Sequence, residues 1–572
     1  MKKVSRAQFL RLSAAAVAAA VLPSSEGSRA AQSAAIVRRR RPNILLLLTD
    51  QERSWSDLPT GLELPQRQSL AARGLSFNEY HANAVACAPS RSVIYTGQHI
   101  QRTAVFDNPG KTPGRKDLDP QATPTLGTML QQNGYRTAYI GKWHMSVLPR
   151  GADIDHAGAL RPFGFEQFVP ALQSGDTMDS GLEGLHDDPA IATGVERWFA
   201  ENTRIKGEDR PWFLAVNLIN PHDIQYLDAT GKQRSEVHPR FAAEMSSVPD
   251  RAPYTDNLGF ALPPSFPGPR VRTIAAHRAY VEDARFFYGD LPLSDTAAWS
   301  RYQNYYFNCL RDVDRDIGTV FAALERSGAL DETIIIFSSD HGEMGGAQGL
   351  RLKGPFIYKE NFRVPFVMVH PDVRNPASQT HALASAVDLV PTLLSAIGLD
   401  EHARADRYPA LKGRDLLPLL TAPAGAVRDA LLFNSSIVHC CNPIKKAETI
   451  ARLYAAKPGQ KPPPRSFPED FVQVEDRTFL RAVFDGRYKF GRYFAPSQHH
   501  LPTDWNMLTH YNDLELYDTR TDPYERDNIA GPAQRELLLR LNARLNSLLV
   551  EEAGGDDGSY LPGDPGRWRL DD

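Results

Sequence analysis

The sequence predicts an α/β fold, a sheet of buried strands flanked by helices, and three observations predict it. Ile44–Leu48, Phe213–Leu218 and Thr333–Phe337 are short continuous apolar runs, as expected of strands buried on both faces of a parallel sheet. Stretches of helical periodicity lie between these runs. Each run also ends in a polar cluster: Thr49-Asp50-Gln51, Asn220-Pro221-His222-Asp223 and Ser338-Ser339-Asp340-His341-Gly342.

Taken in chain order, Lys2, Lys3, Arg6 and Arg11 precede the apolar stretch Leu12–Leu22, and Ser28 and Ala30 stand where a cleavage site places small residues. A run of about 11 apolar residues is too short to span a bilayer, so residues 1–30 are predicted to be a cleaved export signal with no stable membrane insertion. Ser5–Arg11 resembles a twin-arginine signal with Ala7 in place of the second arginine. Residues 31–41, with Arg38–Arg41, read as a solvated basic arm. Thr123 is placed to cap a helix opening at Pro124 and closed by Gly134, with Leu126, Met129 and Leu130 on one face. Val313, Ile317, Val320, Phe321 and Leu324 mark a second helix ended by Gly328, and Ser385–Ile397 a third. Residues 42–420 are predicted to form the large domain and 421–572 a smaller α+β subdomain. Leu480–Phe490 and Leu514–Tyr517 are its predicted strands, and Ala533–Val550 its helix, with Leu537, Leu541, Leu545 and Leu548 inward. The segments 223–299 and 444–468 read as long irregular loops, of the kind that carries specificity at a sheet edge.

Composition narrows the function classes. With 42% hydrophobic and 23% charged residues the chain is globular, and a net charge of -3 excludes a nucleic-acid binder working through whole-protein electrostatics. Its four cysteines make no disulfide scaffold. Cys440 and Cys441 are adjacent, and Cys309 in its aromatic run reads as a buried structural thiol. Asn434-Ser435-Ser436 fits an N-glycosylation sequon, a rule with many chance matches.

Ligands in open α/β sheets bind beyond the carboxyl ends of the strands, so Asp50, His222, Asp340 and His341 are expected at one edge. Two aspartates, a histidine and the Gln51 carbonyl suit Ca²⁺ or Mg²⁺ better than a softer cation. Cys87-Ala88-Pro89-Ser90-Arg91 supplies the second element. Pro89 fits a first helical turn, which puts Cys87 at the helix's positive end with Arg91 one turn in. A cysteine there is also a candidate low-pKa thiolate nucleophile.

The string CAPSRSVIYTG resembles the type I sulfatase signature, C-x-P-S-R followed by T-G. Pro42-Asn43-Ile44 through Gln51, Gly141-Lys142-Trp143-His144, Ser339–Gly342, and Lys353-Gly354-Pro355 through Pro365 resemble that family's other segments. Arg487-Tyr488-Lys489 and Glu515–Asp518 resemble its C-terminal subdomain. The resemblance implies the alkaline-phosphatase-like fold, a large mixed sheet with a smaller C-terminal α+β subdomain. It also implies a cysteine oxidised to formylglycine by a formylglycine-generating enzyme, and one divalent metal, Ca²⁺ first with Mg²⁺ or Mn²⁺ as alternatives.

By that resemblance residue 87, hydrated to a gem-diol, attacks sulfur with one hydroxyl, and collapse of the other expels sulfate. Asp50, Gln51, Asp340, His341 and residue 87 would hold the metal. Lys142 would lie beside the nucleophile, His144 would be the base for the second hydroxyl, His222 and Lys353 would serve the leaving oxygen or hold sulfate, and Arg91 would orient the nucleophile. Many sulfatases carry paired aspartates on the first strand and Asp-Asn on the later one. Asp50-Gln51 and Asp340-His341 are more like the choline-sulfatase and phosphonate-monoester-hydrolase branch. The expected substrate is a sulfated glycan or aryl sulfate. Phosphonate or phosphate-diester hydrolysis by the same nucleophile is an alternative, as is a non-catalytic sulfoglycan-binding protein, which would have no need of Cys87, Lys142 and His144 together.

Overall fold

The structure is a computed structural model that describes residues 41–109, 117–148, 155–171, 181–202, 210–269, 272–373, 377–437 and 476–561. The predicted signal, the basic arm up to residue 40, Cys440, Cys441 and the 444–468 loop lie outside the described residues. The described residues from Pro42 onward pack as one unit.

All three apolar runs are strands: Asn43–Asp50, Trp212–Pro221 and Thr333–Ser339. They lie side by side at the centre of an eight-stranded mixed sheet. Its order is Ser378–Thr380, Leu75–Phe77, Phe366–Val369, Thr333–Ser339, Asn43–Asp50, Trp212–Pro221, Arg136–Gly141, Gln167–Pro170. Phe366–Val369 runs antiparallel to both neighbours, and the five strands from Thr333–Ser339 to Gln167–Pro170 are mutually parallel. The central runs lack polar alternation because both faces are covered. Ile44, Leu46 and Leu48 join a core with Val93, Ile94 and Leu126, whereas Leu45 and Leu47 join one with Val195, Ile317 and Val320. Each such buried side chain contributes roughly 1.5–3 kcal/mol, so the registers are strongly specified.

The helices depart from expectation mainly at their ends. The first begins at Leu126, capped by Thr125 rather than Thr123, because the Thr125 hydroxyl accepts from Thr128 N. The second starts well before Val313, at Thr296, and runs to Arg326. Trp299, Tyr302, Tyr306 and Leu310 continue its buried stripe back to the end of the segment predicted as an irregular loop. That segment also contains the helix Ala275–Tyr288, with Ala276, Tyr280 and Ala284 buried four residues apart. The third is a single 3₁₀ turn, Ala386–Asp388, leading into Leu389–Ala396.

A five-stranded sheet follows, in the order Asp513–Asp518, Tyr488–Phe494, Phe479–Phe484, Leu431–Ser435, Ala84–Val85. Its last strand comes from just before Cys87. The predicted Leu480–Phe490 strand is a hairpin turning through Asp485–Arg487, where Gly486 has a φ of 86°. The helix Arg535–Leu548 covers one face through Leu538, Leu541, Leu545 and Leu548, with Leu537 partly buried against the same core. Asn434 is fully buried in this sheet with its amide against His99 Nδ1, so the sequon is not a surface site. Among the described residues no helix is long and apolar enough to cross a membrane.

Candidate active site

Four neighbouring strand ends meet at one edge of the large sheet. Asn43–Asp50 ends in Asp50, Arg136–Gly141 leads into Lys142, Trp212–Pro221 into His222, and Thr333–Ser339 into Asp340 and His341. The chain turns sharply here, with left-handed φ values at Gln51 (72°), Gly141 (101°) and His144 (57°). A Cβ on Gly141 would lie 2.1 Å from the Asn217 carbonyl oxygen. Glycine therefore lets the two strand ends close until Lys142 N donates to that oxygen at 3.1 Å.

Cys87 opens the helix Cys87–Thr96, which points its N-terminus into this edge. Its Sγ lies 3.1 Å from His341 Nε2 and 3.6 Å from Asp50 Oδ1. Donor atoms of Asp50, Cys87, Asp340 and His341 all fall within 4.8 Å of one another, and all four residues are buried. His341 Nδ1 sits 3.0 Å from the Gly342 carbonyl oxygen. An N–H donating there leaves the Nε2 lone pair facing Cys87 and the carboxylates, the tautomer a metal ligand needs. Two carboxylates and one imidazole nitrogen fit a hard or borderline divalent cation.

Cations face this cluster from the protein side. Arg91 Nε donates to Asp340 Oδ2 at 2.9 Å, Nη2 to Asp50 Oδ2 at 3.3 Å, and Nη1 to the Lys142 carbonyl and Asn217 Oδ1, each at 3.1 Å. Lys142 Nζ donates to Asp50 Oδ2, and the Ser90 hydroxyl donates to the Asp340 carbonyl. Burial would push Asp50 up, but Lys142, His222, Arg91 and His341 outweigh it and hold its carboxyl well below the usual range. Burial and Asp50 push the Cys87 thiol up, and Lys142, Lys353 and His341 bring it below its ordinary value. Burial lowers Lys142, but Asp50 and Cys87 raise it further. Burial, then the charge of Lys353, depresses His222 well below an ordinary histidine.

Residues 42–399 match the family model described as Sulfatase. The chain belongs to the sulfatase family. Its relatives include the N-acetylglucosamine-6-O-sulfatase of Bacteroides thetaiotaomicron, 24% identical over 83% of this chain and 79% of that one. Human arylsulfatase A is 26% identical over 82% of this chain and 78% of that one. The match to the uncharacterized sulfatase YidJ of Escherichia coli spans 62% of that protein's length. A phosphonate monoester hydrolase from Silicibacter pomeroyi shares the fold, with a TM-score of 0.60, 20% identity, and coverage of 90% of this chain and 96% of that one. This sulfatase is thus a sulfuric ester hydrolase of the alkaline-phosphatase superfamily, and its family implies a divalent metal and a formylglycine.

Lys353 reaches the same edge of the sulfatase through Gln51. Lys353 Nζ donates to Gln51 Oε1 at 2.5 Å and to Gln225 Oε1 at 2.6 Å. The Gln51 side chain therefore lies between Lys353 and Glu343, whose Oε2 accepts from Gln51 Nε2 at 2.5 Å. The buried His222 meets no hydrogen-bond partner at Nδ1 among the described residues. His144 is buried two residues beyond Lys142. Sequence reasoning did not select Asn217, Gln225 or Glu343. Gln225 and Glu343 follow strands already identified, so the same strand-end argument would have found them had it extended beyond Asp and His, whereas Asn217 lies inside the Trp212–Pro221 strand.

Proposed function

We propose that this sulfatase hydrolyses sulfate esters, of sulfated sugars or aryl alcohols, through a formylglycine at position 87. The observation that carries the reading is Cys87 at a helix N-terminus, within 4.8 Å of Asp50, Asp340 and His341. Hydrated formylglycine offers two hydroxyls. One attacks sulfur while the S–O bond to the alcohol breaks, and the other then loses its proton as the aldehyde re-forms and sulfate departs. Asp50, Asp340, His341, Gln51 and residue 87 would hold the divalent cation, Ca²⁺ by our assignment. When bound, the cation supplies charge stabilisation for anionic oxygens.

The chain's own residues do the rest. Arg91 fixes the two carboxylates and orients the start of the helix. Lys142 lies against Asp50 and neutralises charge near residue 87. His144 is the base for the second hydroxyl. Lys353 and His222 face the leaving oxygen. Lys353 is the cation that meets an arriving sulfate. Maturation requires a formylglycine-generating enzyme, and residues 1–30 would direct export. The N-acetylglucosamine-6-O-sulfatase relative supports a sulfated sugar as substrate. The test is mass spectrometry of the tryptic peptide containing Cys87, from the native host. A mass about 18 Da below the thiol peptide supports the reading, and an unmodified thiol in a host with a working maturase overturns it.

The Asp340-His341 pair favours a second reading, phosphonate or phosphate-diester hydrolysis by the same nucleophile, and a phosphonate monoester hydrolase shares the fold. Relative rates on aryl sulfate and aryl phosphonate separate the two.

A further inference from the structure

Glu343 is fully buried behind the strand end that carries Asp340 and His341. Its carboxylate accepts four hydrogen bonds: from Gln51 Nε2 at 2.5 Å, Leu352 N at 2.7 Å, Gly345 N at 2.8 Å and Tyr302 OH at 3.1 Å. The last three all reach Oε1, so Oε2 is left to Gln51 alone. A carboxylate oxygen accepts, so the Gln51 amide must turn its NH₂ toward Glu343 and its oxygen the other way. That oxygen accepts from Lys353 Nζ at 2.5 Å. The Gln51 main chain is held separately, its N–H on Asp340 Oδ1 and its carbonyl on Tyr306 OH, each at 3.1 Å. Glu343 and Lys353 therefore meet the two ends of the amide, and the Gln51 main chain is held by other partners.

We propose that Glu343 is a positioning residue that acts through Gln51, fixing the amide with its oxygen toward Lys353. The inference rests on the proposed reading of Gln51 and Lys353 as parts of a sulfate-ester site. A neutral amide at position 343 can pair with Gln51 in either orientation. In the flipped one Gln51 presents an N–H to the Lys353 ammonium, which then keeps only Gln225 as acceptor.

The test uses the full chain and five variants: E343Q, Q51A, Q51E, E343Q/Q51A and the swap E343Q/Q51E. Two quantities are read: kcat and KM on an aryl sulfate, and the acetylation rate of Lys353 by acetic anhydride, followed by mass spectrometry against Lys232. E343Q is expected to lower kcat/KM by roughly tenfold and to speed Lys353 acetylation several-fold, yet to change either by less than about twofold in the Q51A background. In the swap, the amide introduced at position 343 donates its NH₂ to the carboxylate introduced at position 51. The other oxygen of that carboxylate takes Lys353, so slow labelling is expected to return. An E343Q effect of full size in Q51A, or a swap no slower to label than E343Q, overturns the proposal. Glu343 would then act by holding Gly345 and Leu352. If E343Q does not fold, the comparison of Q51E with the swap decides by the same labelling. A wild-type chain inert to both aryl sulfates and sulfated sugars, with the labelling pattern intact, removes the sulfate-ester reading and leaves the role of Glu343 standing.

Discussion

Arg91 Nε donates to Asp340 Oδ2 at 2.9 Å with both side chains out of solvent, joining the Cys87 helix to the end of the Thr333–Ser339 strand. The same guanidinium also reaches Asp50, Asn217 and the Lys142 carbonyl, which a single ammonium cannot do. Arg91→Ala should cost about 3–5 kcal/mol in denaturant unfolding, because it leaves buried carboxylates uncompensated. Arg91→Lys should recover only part of that. A variant as stable as wild type would show that the clamp is not needed to hold the edge together.

Replacing Cys87 by serine should abolish steady-state turnover. A serine hydroxyl can attack sulfur but has no second hydroxyl whose collapse expels sulfate. Incubation with an aryl sulfate should instead leave a covalent adduct about 80 Da heavier on the peptide containing residue 87. Multiple turnovers by this variant would argue for a different nucleophile.

Chelation should lower the melting temperature, and added Ca²⁺ should restore it. At a hundred times its dissociation constant a bound cation stabilises by about 2.7 kcal/mol. Asp340→Asn removes an anionic donor from the four-residue cluster and should weaken Ca²⁺ at least tenfold by calorimetric titration. Unchanged affinity would place the cation elsewhere.

Gly141→Ala should be disruptive although it adds only a methyl group. The position combines a φ of 101° with a Cβ that would sit 2.1 Å from Asn217 O. Loss of roughly 1–3 kcal/mol from backbone strain, plus displacement of the adjoining Lys142, should appear as lower stability and lower kcat together. A variant with wild-type kcat would separate Lys142 from this close approach.

Glu552 links the C-terminal segment to the end of the Cys87 helix, bonding His99 at 3.1 Å and Arg428 at 2.9 Å. Burial would raise its carboxyl, but the hydrogen bond from His99 and the charge of Arg428 bring it down to about 2. A folded value depressed below the unfolded one stabilises the protein above about pH 4.5, and this contribution is lost as pH falls toward 2. Glu552→Gln should therefore destabilise by up to about 3 kcal/mol near neutral pH and flatten the acid side of the stability curve. Parallel curves for variant and wild type across that range would rule out this linkage.

The central strands were legible because a two-faced core removes polar alternation, and that signal is local. Asp50, His222, Asp340 and His341 were legible for the same reason, as residues at the ends of those strands. The Cys87 string was legible as a family resemblance, helped by Pro89 in a first helical turn. Helix ends were less so: the Thr125 cap and the start at Thr296 depend on which hydroxyl and which aromatic stripe find partners elsewhere in the fold. Only the tertiary structure decided the orientation of Gln51, since an amide has two and its partners Glu343 and Lys353 lie 292 and 302 positions away. The same holds for Arg91, whose four acceptors come from four separate segments. The sequence by itself determined the apolar runs and the residue types at their ends. Three-dimensional packing decided which donors face which acceptors, because hydrogen bonds and buried charges depend on distance in space and not on spacing along the chain.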